Sequence, residues 1–270
     1  MISFYSLEYH AAHACNLACS QCSHYSNLSR DRHPTLEEAK AEFSLWKGRL
    51  NPSLIAILGG EPTLNKDLAG IIQEMRSAFP QSDGLLVTNG LTLDRFPHLP
   101  ELLIDNGFKL DVSRHGSGAA YTKRFEPVLE MLNEWRESYP DLKITVRESI
   151  DTWMRQYQVI DGRPFPWEAD GASAYRICMQ KFCTQLYQGK LWKCPALAYF
   201  HQMEDRMSAH DIKEWQPFRD YKAITADATD EDIERFFREG EICQCSLCPG
   251  RVVKFEHPDP TDRKASKENL

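Results

Sequence analysis

The sequence predicts an α/β fold, a parallel sheet with its helices outside, and three observations carry that reading. Apolar segments of strand length alternate with amphipathic segments of helical period, giving five strands in about 150 residues, the pattern of parallel strands joined by helical crossovers. The two most distinctive motifs fall at strand C-termini, where barrels of this class gather their chemistry. At 270 residues and 42% hydrophobic content, the chain can build one large domain, or one domain with a small appendage, around a sizeable core.

Residues 3–10 read as the first strand. Pro34-Thr35-Leu36-Glu37-Glu38 has the form of a helix start, with Thr35 as N-cap and Glu38 closing a capping box. The helix runs to about Leu50, with Leu36, Ala39, Phe43 and Trp46 on one face. Leu54–Leu58 is the second strand, and Asp67 to Phe79 repeats the helical pattern through Leu68, Ile71, Ile72 and Met75. A third strand at 85–87, a helix, a strand at 108–112, a helix at 122–138 and a strand at 142–146 continue the alternation. Residues 151–176 are rich in Trp, Pro, Gly and Asp and read as a loop-rich bridge. Leu186-Tyr187 and Leu191-Trp192 flank a hairpin tip at Gln188-Gly189-Lys190. Asp230 opens an amphipathic helix that ends near Gly240.

Composition narrows the function classes. No run approaches eighteen consecutive apolar residues, and the N-terminus lacks a basic segment ahead of an apolar one, so neither a membrane span nor a signal peptide is expected. Nine cysteines gathered in short motifs then point to a reducing cytoplasm and metal ligation rather than disulfides. The formal charge of −7 argues against nucleic acid as the main partner and favours a cationic small molecule.

The first motif is Cys15-Asn16-Leu17-Ala18-Cys19-Ser20-Gln21-Cys22. Three thiolates in this spacing can each take one corner of a [4Fe–4S] cubane and leave the fourth iron open. Taken alone, they could equally be three ligands of a zinc site. The second motif, Gly59-Gly60-Glu61-Pro62, follows the apolar run 54–58. In this order, each after its own strand, the two resemble the radical S-adenosylmethionine (SAM) superfamily. That resemblance implies a partial (β/α)6 barrel, a [4Fe–4S] cluster on Cys15, Cys19 and Cys22, and SAM chelating the open iron. The loop of Gly59, Gly60 and Glu61 would receive the SAM amino group. Asn89 and Ser113, at the ends of strands three and four, match positions that touch the methionine or ribose parts. Arg147, ending strand five, is placed for the SAM carboxylate. Turn formation by Asn89, capping by Ser113 and a surface position for Arg147 stay open beside those roles. One residue departs from the family: an aromatic that lies beside adenine usually precedes the third cysteine, and here that position is Gln21.

Cys178 to Cys194 reads Cys-x10-Gly-x4-Cys, and Cys245-Ser246-Leu247-Cys248 follows a helix. This resembles the auxiliary-cluster domains called SPASM or, when shortened, twitch. It implies a second [4Fe–4S] cluster on Cys178, Cys194, Cys245 and Cys248, with a zinc knuckle of the same ligands as the alternative. The expected division is 1–172 for the barrel, 173–256 for the twitch-like domain and 257–270 for a polar tail. Cys183 and Cys243 are left spare, and Cys243 could exchange roles with Cys245. A free thiol at the barrel mouth could return a hydrogen atom to a substrate radical, which makes Cys243 the candidate donor.

By resemblance, a reduced cluster splits SAM to a 5′-deoxyadenosyl radical that takes hydrogen from an unactivated C–H bond. A flavodoxin- or ferredoxin-type reductant supplies the electron. The Cys-x-Cys-x2-Cys ending is similar to sugar epimerases of aminoglycoside biosynthesis. No peptide-recognition domain is expected ahead of the first strand. Epimerisation of a cationic aminosugar is therefore the preferred reading, with peptide modification or alcohol oxidation through the auxiliary cluster as the alternative. His10, His13, His24, Tyr25, Arg114, His115, Glu148 and Asp151 are candidate polar contacts to substrate.

Overall fold

The computed structural model describes residues 1–29, 32–149 and 153–262; the candidate Asp151 lies outside them, as do residues 263–270. Strand β1 (Ile2–Ala12) sets the frame. Leu7, Tyr9 and Ala11 join the core beneath the helices, and Tyr9 packs edge-on against Phe43 with ring centroids 4.8 Å apart. Ser6, Glu8 and His10 alternate with them and meet residues from the C-terminal part of the chain, as period-two alternation requires. Helix α1 (Leu36–Trp46) begins with the expected capping box: Thr35 Oγ1 accepts from the Glu38 amide, and the Glu38 carboxylate accepts from the Thr35 amide. It stops four residues short of the expected end. Gly48 turns left-handed at φ 78°, and Leu50 already pairs with Ile2 in the sheet.

The alternation continues through β2 (Leu50–Gly59), α2 (Leu68–Ala78), β3 (Asp83–Thr88), α3 (Leu99–Asp105), β4 (Phe108–Arg114), α4 (Ala119–Ser138) and β5 (Ile144–Glu148). After β6 (Gln158–Ile160), β7 (Arg163–Phe165) and α5 (Gly171–Ile177) comes β8 (Thr184–Tyr187), which pairs parallel with β1. It is followed by β9 (Lys190–Trp192). The main sheet has the order β5-β4-β3-β2-β1-β8-β9: six parallel strands and one antiparallel strand at the edge. The fold is thus a partial α/β barrel, and its sixth parallel strand comes from the far side of the bridge. No described helix is long and apolar enough to cross a membrane.

The hairpin tip falls where the sequence placed it. Gln188 and Gly189 both have positive φ (54° and 70°), the geometry of a two-residue primed turn. Helix α1 clamps that tip: Trp46, fully buried, donates its indole N–H to the Gly189 carbonyl at 3.1 Å, and the Gly189 amide donates to Glu42 Oε2 at 2.8 Å. A second such turn, Asp161-Gly162, closes the β6–β7 hairpin inside the segment read as loop.

A second core gathers Tyr157, Tyr199, Phe200, Met203 and Trp215, and draws in Tyr25 and Leu28 from the loop after β1. Its helices α6 (Pro195–Ala198), α7 (Phe200–Arg206) and α8 (Gln216–Arg219) are short; α9 (Asp230–Arg238) stacks Phe237 on Phe4 of β1. Residues 253–260, partly assigned above to a polar tail, are tied down instead. The Arg155 amide donates to the Val253 carbonyl at 2.9 Å, and the Ala18 amide to the Pro260 carbonyl at 2.8 Å.

Burial pushes the Glu42 carboxyl up to about 7, against a smaller lowering by the Gly189 amide. Because the folded value lies above the unfolded 4.5, folding favours the protonated form. That stabilisation is present below pH 4.5 and is lost as pH rises through about 7. Thermal unfolding of wild type and Glu42→Gln between pH 5 and 8 should show the wild type losing ground to the variant as pH rises. Parallel curves would contradict this.

Candidate active site

The end of β2 lies against the end of β1 so closely that no side chain fits between them. A Cβ on Gly59 would stand 2.1 Å from the Ala12 carbonyl oxygen, and one on Gly60 2.2 Å from that of Ala14. The Gly60 and Glu61 amides donate to those same two carbonyls at 2.8 and 3.0 Å. Glu61 is fully buried. Its Oε1 accepts from the Thr63 amide (3.0 Å), the Thr63 hydroxyl (2.5 Å) and the Thr88 hydroxyl (2.6 Å), and its Oε2 from the Asn89 amide (2.7 Å). The side chain is a strut between the ends of β2 and β3, with no oxygen exposed to a ligand. Burial raises its pKa and the four hydrogen bonds oppose that rise.

Asn89 carries the strut on to the first cysteine loop. Its Nδ2 donates to Asn16 Oδ1 at 2.6 Å and approaches Cys15 Sγ at 3.7 Å, while its Oδ1 accepts from the Leu91 amide. The bond to the Leu91 amide is the turn-forming role open to Asn89 from its sequence position. Cys15, Cys19 and Cys22 are close enough for each to feel the charge of another, and burial raises all three thiols. Backbone amides of His24, Tyr25, Ser26 and Asn27 point at Cys22, and the Leu17 amide at Cys15 Sγ (3.4 Å), contacts that favour a thiolate. The donor set suits an iron–sulfur group: buried thiols, directed amides and a loop held from beneath. Among the described residues no three His, Cys, Asp or Glu side chains converge on one ion; a cubane makes no such demand, since each thiolate binds its own iron.

The second cysteine set assembles from three places in the chain. Cys178 ends α5, Cys194 begins α6, and Cys245 and Cys248 lie in and just after the turn Cys243–Leu247. All four line one cavity of about 270 Å3, together with Gln21 and Ser23 of the first loop and Arg147 of β5. Burial raises each thiol, Cys194 to about 12. Cys243 is separate from this group: it is exposed, donates to the neighbouring Gln244 side chain at 3.2 Å, and is absent from the cavity wall. A Cys-x-Cys step in so tight a turn sends the two thiols in different directions. The other spare thiol, Cys183, is half-buried and hydrogen-bonded to the Glu8 carboxylate of β1, which burial raises above the usual range.

Ser113 is buried with an unpaired hydroxyl. Arg147 pairs through Nε with Asp111, 3.0 Å away. His10 stacks on Tyr199 at 3.8 Å, with His24 4.9 Å and His13 5.7 Å from it. Burial lowers His10 and takes His24 to about 4 and His115 to about 3, so these rings are neutral near pH 7. Arg114 is paired with Glu148 at 3.3 Å, and Tyr25 is buried in the second core. Trp153, which no motif singles out, lines the cavity and packs on His257 at 4.6 Å.

The pattern of the Radical SAM superfamily matches residues 9–147, just over half of the chain, and the chain belongs to that superfamily. The superfamily implies a [4Fe–4S] cluster and SAM. The GTP 3',8-cyclase of Peptoclostridium acidaminophilum is 32% identical over 85 residues, 30% of this chain and 26% of that protein, so the match spans about a quarter of that relative. Among solved structures, BtrN in complex with AdoMet and 2-DOIA aligns at 17% identity over 91% of each chain, with a TM-score of 0.49. Native anSMEcpe with bound AdoMet aligns at 19% identity over 53% of this chain and 43% of its own, with a TM-score of 0.41.

A methyl group on Gly60 must push β1 and β2 apart at the base of the cysteine loop. Gly60→Ala should lower the free energy of unfolding by about 1–3 kcal/mol and reduce the iron retained after anaerobic reconstitution. An unchanged denaturation midpoint with full iron would show that the close approach is unimportant.

Proposed function

We propose that this protein is a radical SAM oxidoreductase that forms its substrate radical in the cavity lined by the second cysteine set and by Gln21 and Ser23 of the first cysteine loop. Cys15, Cys19 and Cys22 would hold the SAM-binding cluster, and Cys178, Cys194, Cys245 and Cys248 an auxiliary one. When bound, these groups supply a 5′-deoxyadenosyl radical that removes hydrogen from carbon, and an acceptor for one electron. The chain's own part is to set the two sites on one cavity. The observation that carries the reading is that all four cysteines of the second set share a wall with Gln21 and Ser23 of the first loop. A radical formed there has an electron acceptor beside it. An α-hydroxyalkyl radical that loses one electron and one proton becomes a carbonyl.

The remaining residues serve binding and the exclusion of water. Glu61 holds the first loop through Asn89. His10, His13 and His24 with Tyr199 form the aromatic floor between β1 and the second core. A flavodoxin- or ferredoxin-type protein would deliver the electrons.

Epimerisation is the second reading. Cys243 supports it poorly, being exposed and off the cavity. What favours it is Cys183, a thiol held on the buried Glu8 carboxylate beside the second cysteine set.

Anaerobic turnover in D2O of the reconstituted, reduced enzyme, with hydroxy acids, sugar phosphates and aminoglycosides, separates the two readings. Oxidation predicts 5′-deoxyadenosine and a product lighter by two hydrogens, formed equally by Cys183→Ala and Cys243→Ala. One deuterium at an inverted carbon, lost in Cys183→Ala or in Cys243→Ala, would replace oxidation by epimerisation with that thiol as donor.

A further inference from the structure

Gln21 is a non-glycine residue held in the left-handed region, φ 57°, between two cysteines of the first loop. The conformation is sustained from far along the chain: Gln21 Oε1 accepts the backbone N–H of Gln156 at 2.8 Å and of Tyr157 at 3.2 Å. With its oxygen filled, the amide turns its nitrogen the other way. Gln21 is only 2% exposed, yet its Nε2 has no partner and the residue lines the cavity. A buried donor left unmade costs about 1–3 kcal/mol. A ligand acceptor in the cavity would remove that cost.

Arg147 lines the same cavity. Its Nε is engaged by Asp111, but neither Nη makes a hydrogen bond to the described residues, and its side chain is 54% exposed. The two other cations on the wall are committed near the second cysteine set. Lys193 Nζ donates to the carbonyls of Phe236 and Glu239, and Lys181 Nζ to that of Arg176. Among the described residues that line the cavity there is no Asp or Glu. The uncommitted polar groups at its barrel end are therefore donors.

We infer that the substrate presents an oxyanion, a carboxylate or a phosphate, to Gln21 Nε2 and the Arg147 guanidinium. A guanidinium with both Nη groups available suits the two-oxygen face of either anion, and the adjacent amide adds a third donor. This rests on the reading of the cavity as the substrate site, and it replaces the cationic aminosugar expected from net charge. Net charge describes the whole surface, whereas the wall that meets the substrate carries the opposite sign.

The carboxylate of SAM is the other source of the same chemistry, and the experiment separates the two. In the anaerobic, cluster-loaded enzyme, phenylglyoxal labelling of Arg147 is followed by peptide mass spectrometry. It is run with phosphate, malonate or spermidine at matched ionic strength, each with and without saturating SAM. The inference predicts that phosphate or malonate slows labelling with SAM already bound, and that spermidine does not. Gln21→Glu keeps the acceptor for the Gln156 and Tyr157 amides and removes the donor. It should raise the anion concentration for half-protection by about tenfold or more, the size of one charge-assisted hydrogen bond, with iron content unchanged. Complete protection by SAM alone, with nothing added by either anion, would assign the site to the cofactor and overturn the inference. So would equal protection by spermidine, or an unchanged half-protection concentration in Gln21→Glu. Labelling needs no turnover, so an enzyme that epimerises would fail the proposed oxidation without touching this result. An enzyme that oxidises while Arg147 ignores both anions would do the reverse.

Discussion

A carboxylate sealed from water at the ends of two strands is the constraint on which the site depends. Glu61 gives up hydration for four donors, from Thr63, Thr88 and Asn89. Two come from Thr63 in the turn after β2 and two from Thr88 and Asn89 at the end of β3, so the network works as a clamp on β2 and β3. Removing one donor from a buried carboxylate leaves an unmet acceptor, at about 1–3 kcal/mol or more. Through Asn89 and Asn16 the clamp reaches the loop of Cys15, Cys19 and Cys22. The glycines before it bring the backbones of β1 and β2 into direct contact, where any Cβ would collide. The motif therefore has a structural role of its own: it fixes the loop that carries the first cysteines.

The second half of the molecule is built onto the first at three places. The β8–β9 hairpin extends the sheet beside β1, with its tip gripped by Trp46 and Glu42. The second core takes Tyr25 from the loop that carries Cys22. Residues 253–260 return to bond Arg155 and Ala18. Together with Gln21, which reaches the amides of 156 and 157, these contacts bring the first cysteine loop, through Gln21 and Ser23, to the cavity that the second cysteine set lines.

Much of this was legible in the sequence because it is local. The Thr35–Glu38 capping box, the Gln188-Gly189 turn, the five alternating strands and both cysteine spacings depend on neighbours a few residues apart. What escaped depends on partners far along the chain. The pairing of β8 with β1, the strut made by Gln21 to residues 156 and 157, and the return of residues 253–260 have no local signature. The bridge 151–176 concealed a hairpin and a short helix because its Pro, Gly and Trp content overrides periodicity. The setting of Cys243 was not legible either: its spacing places it beside ligand positions, while the tight turn leaves it exposed and off the cavity wall.

The central claim is that one cavity lies between two iron–sulfur sites, and counting iron and acid-labile sulfide tests it directly. After anaerobic reconstitution, the account predicts about eight irons in the wild type and about four after Cys15, Cys19 and Cys22 are all changed to Ala. Changing Cys178, Cys194, Cys245 and Cys248 to Ala should likewise leave about four. A wild type holding only about four irons, or zinc in place of iron at the second set, would contradict it.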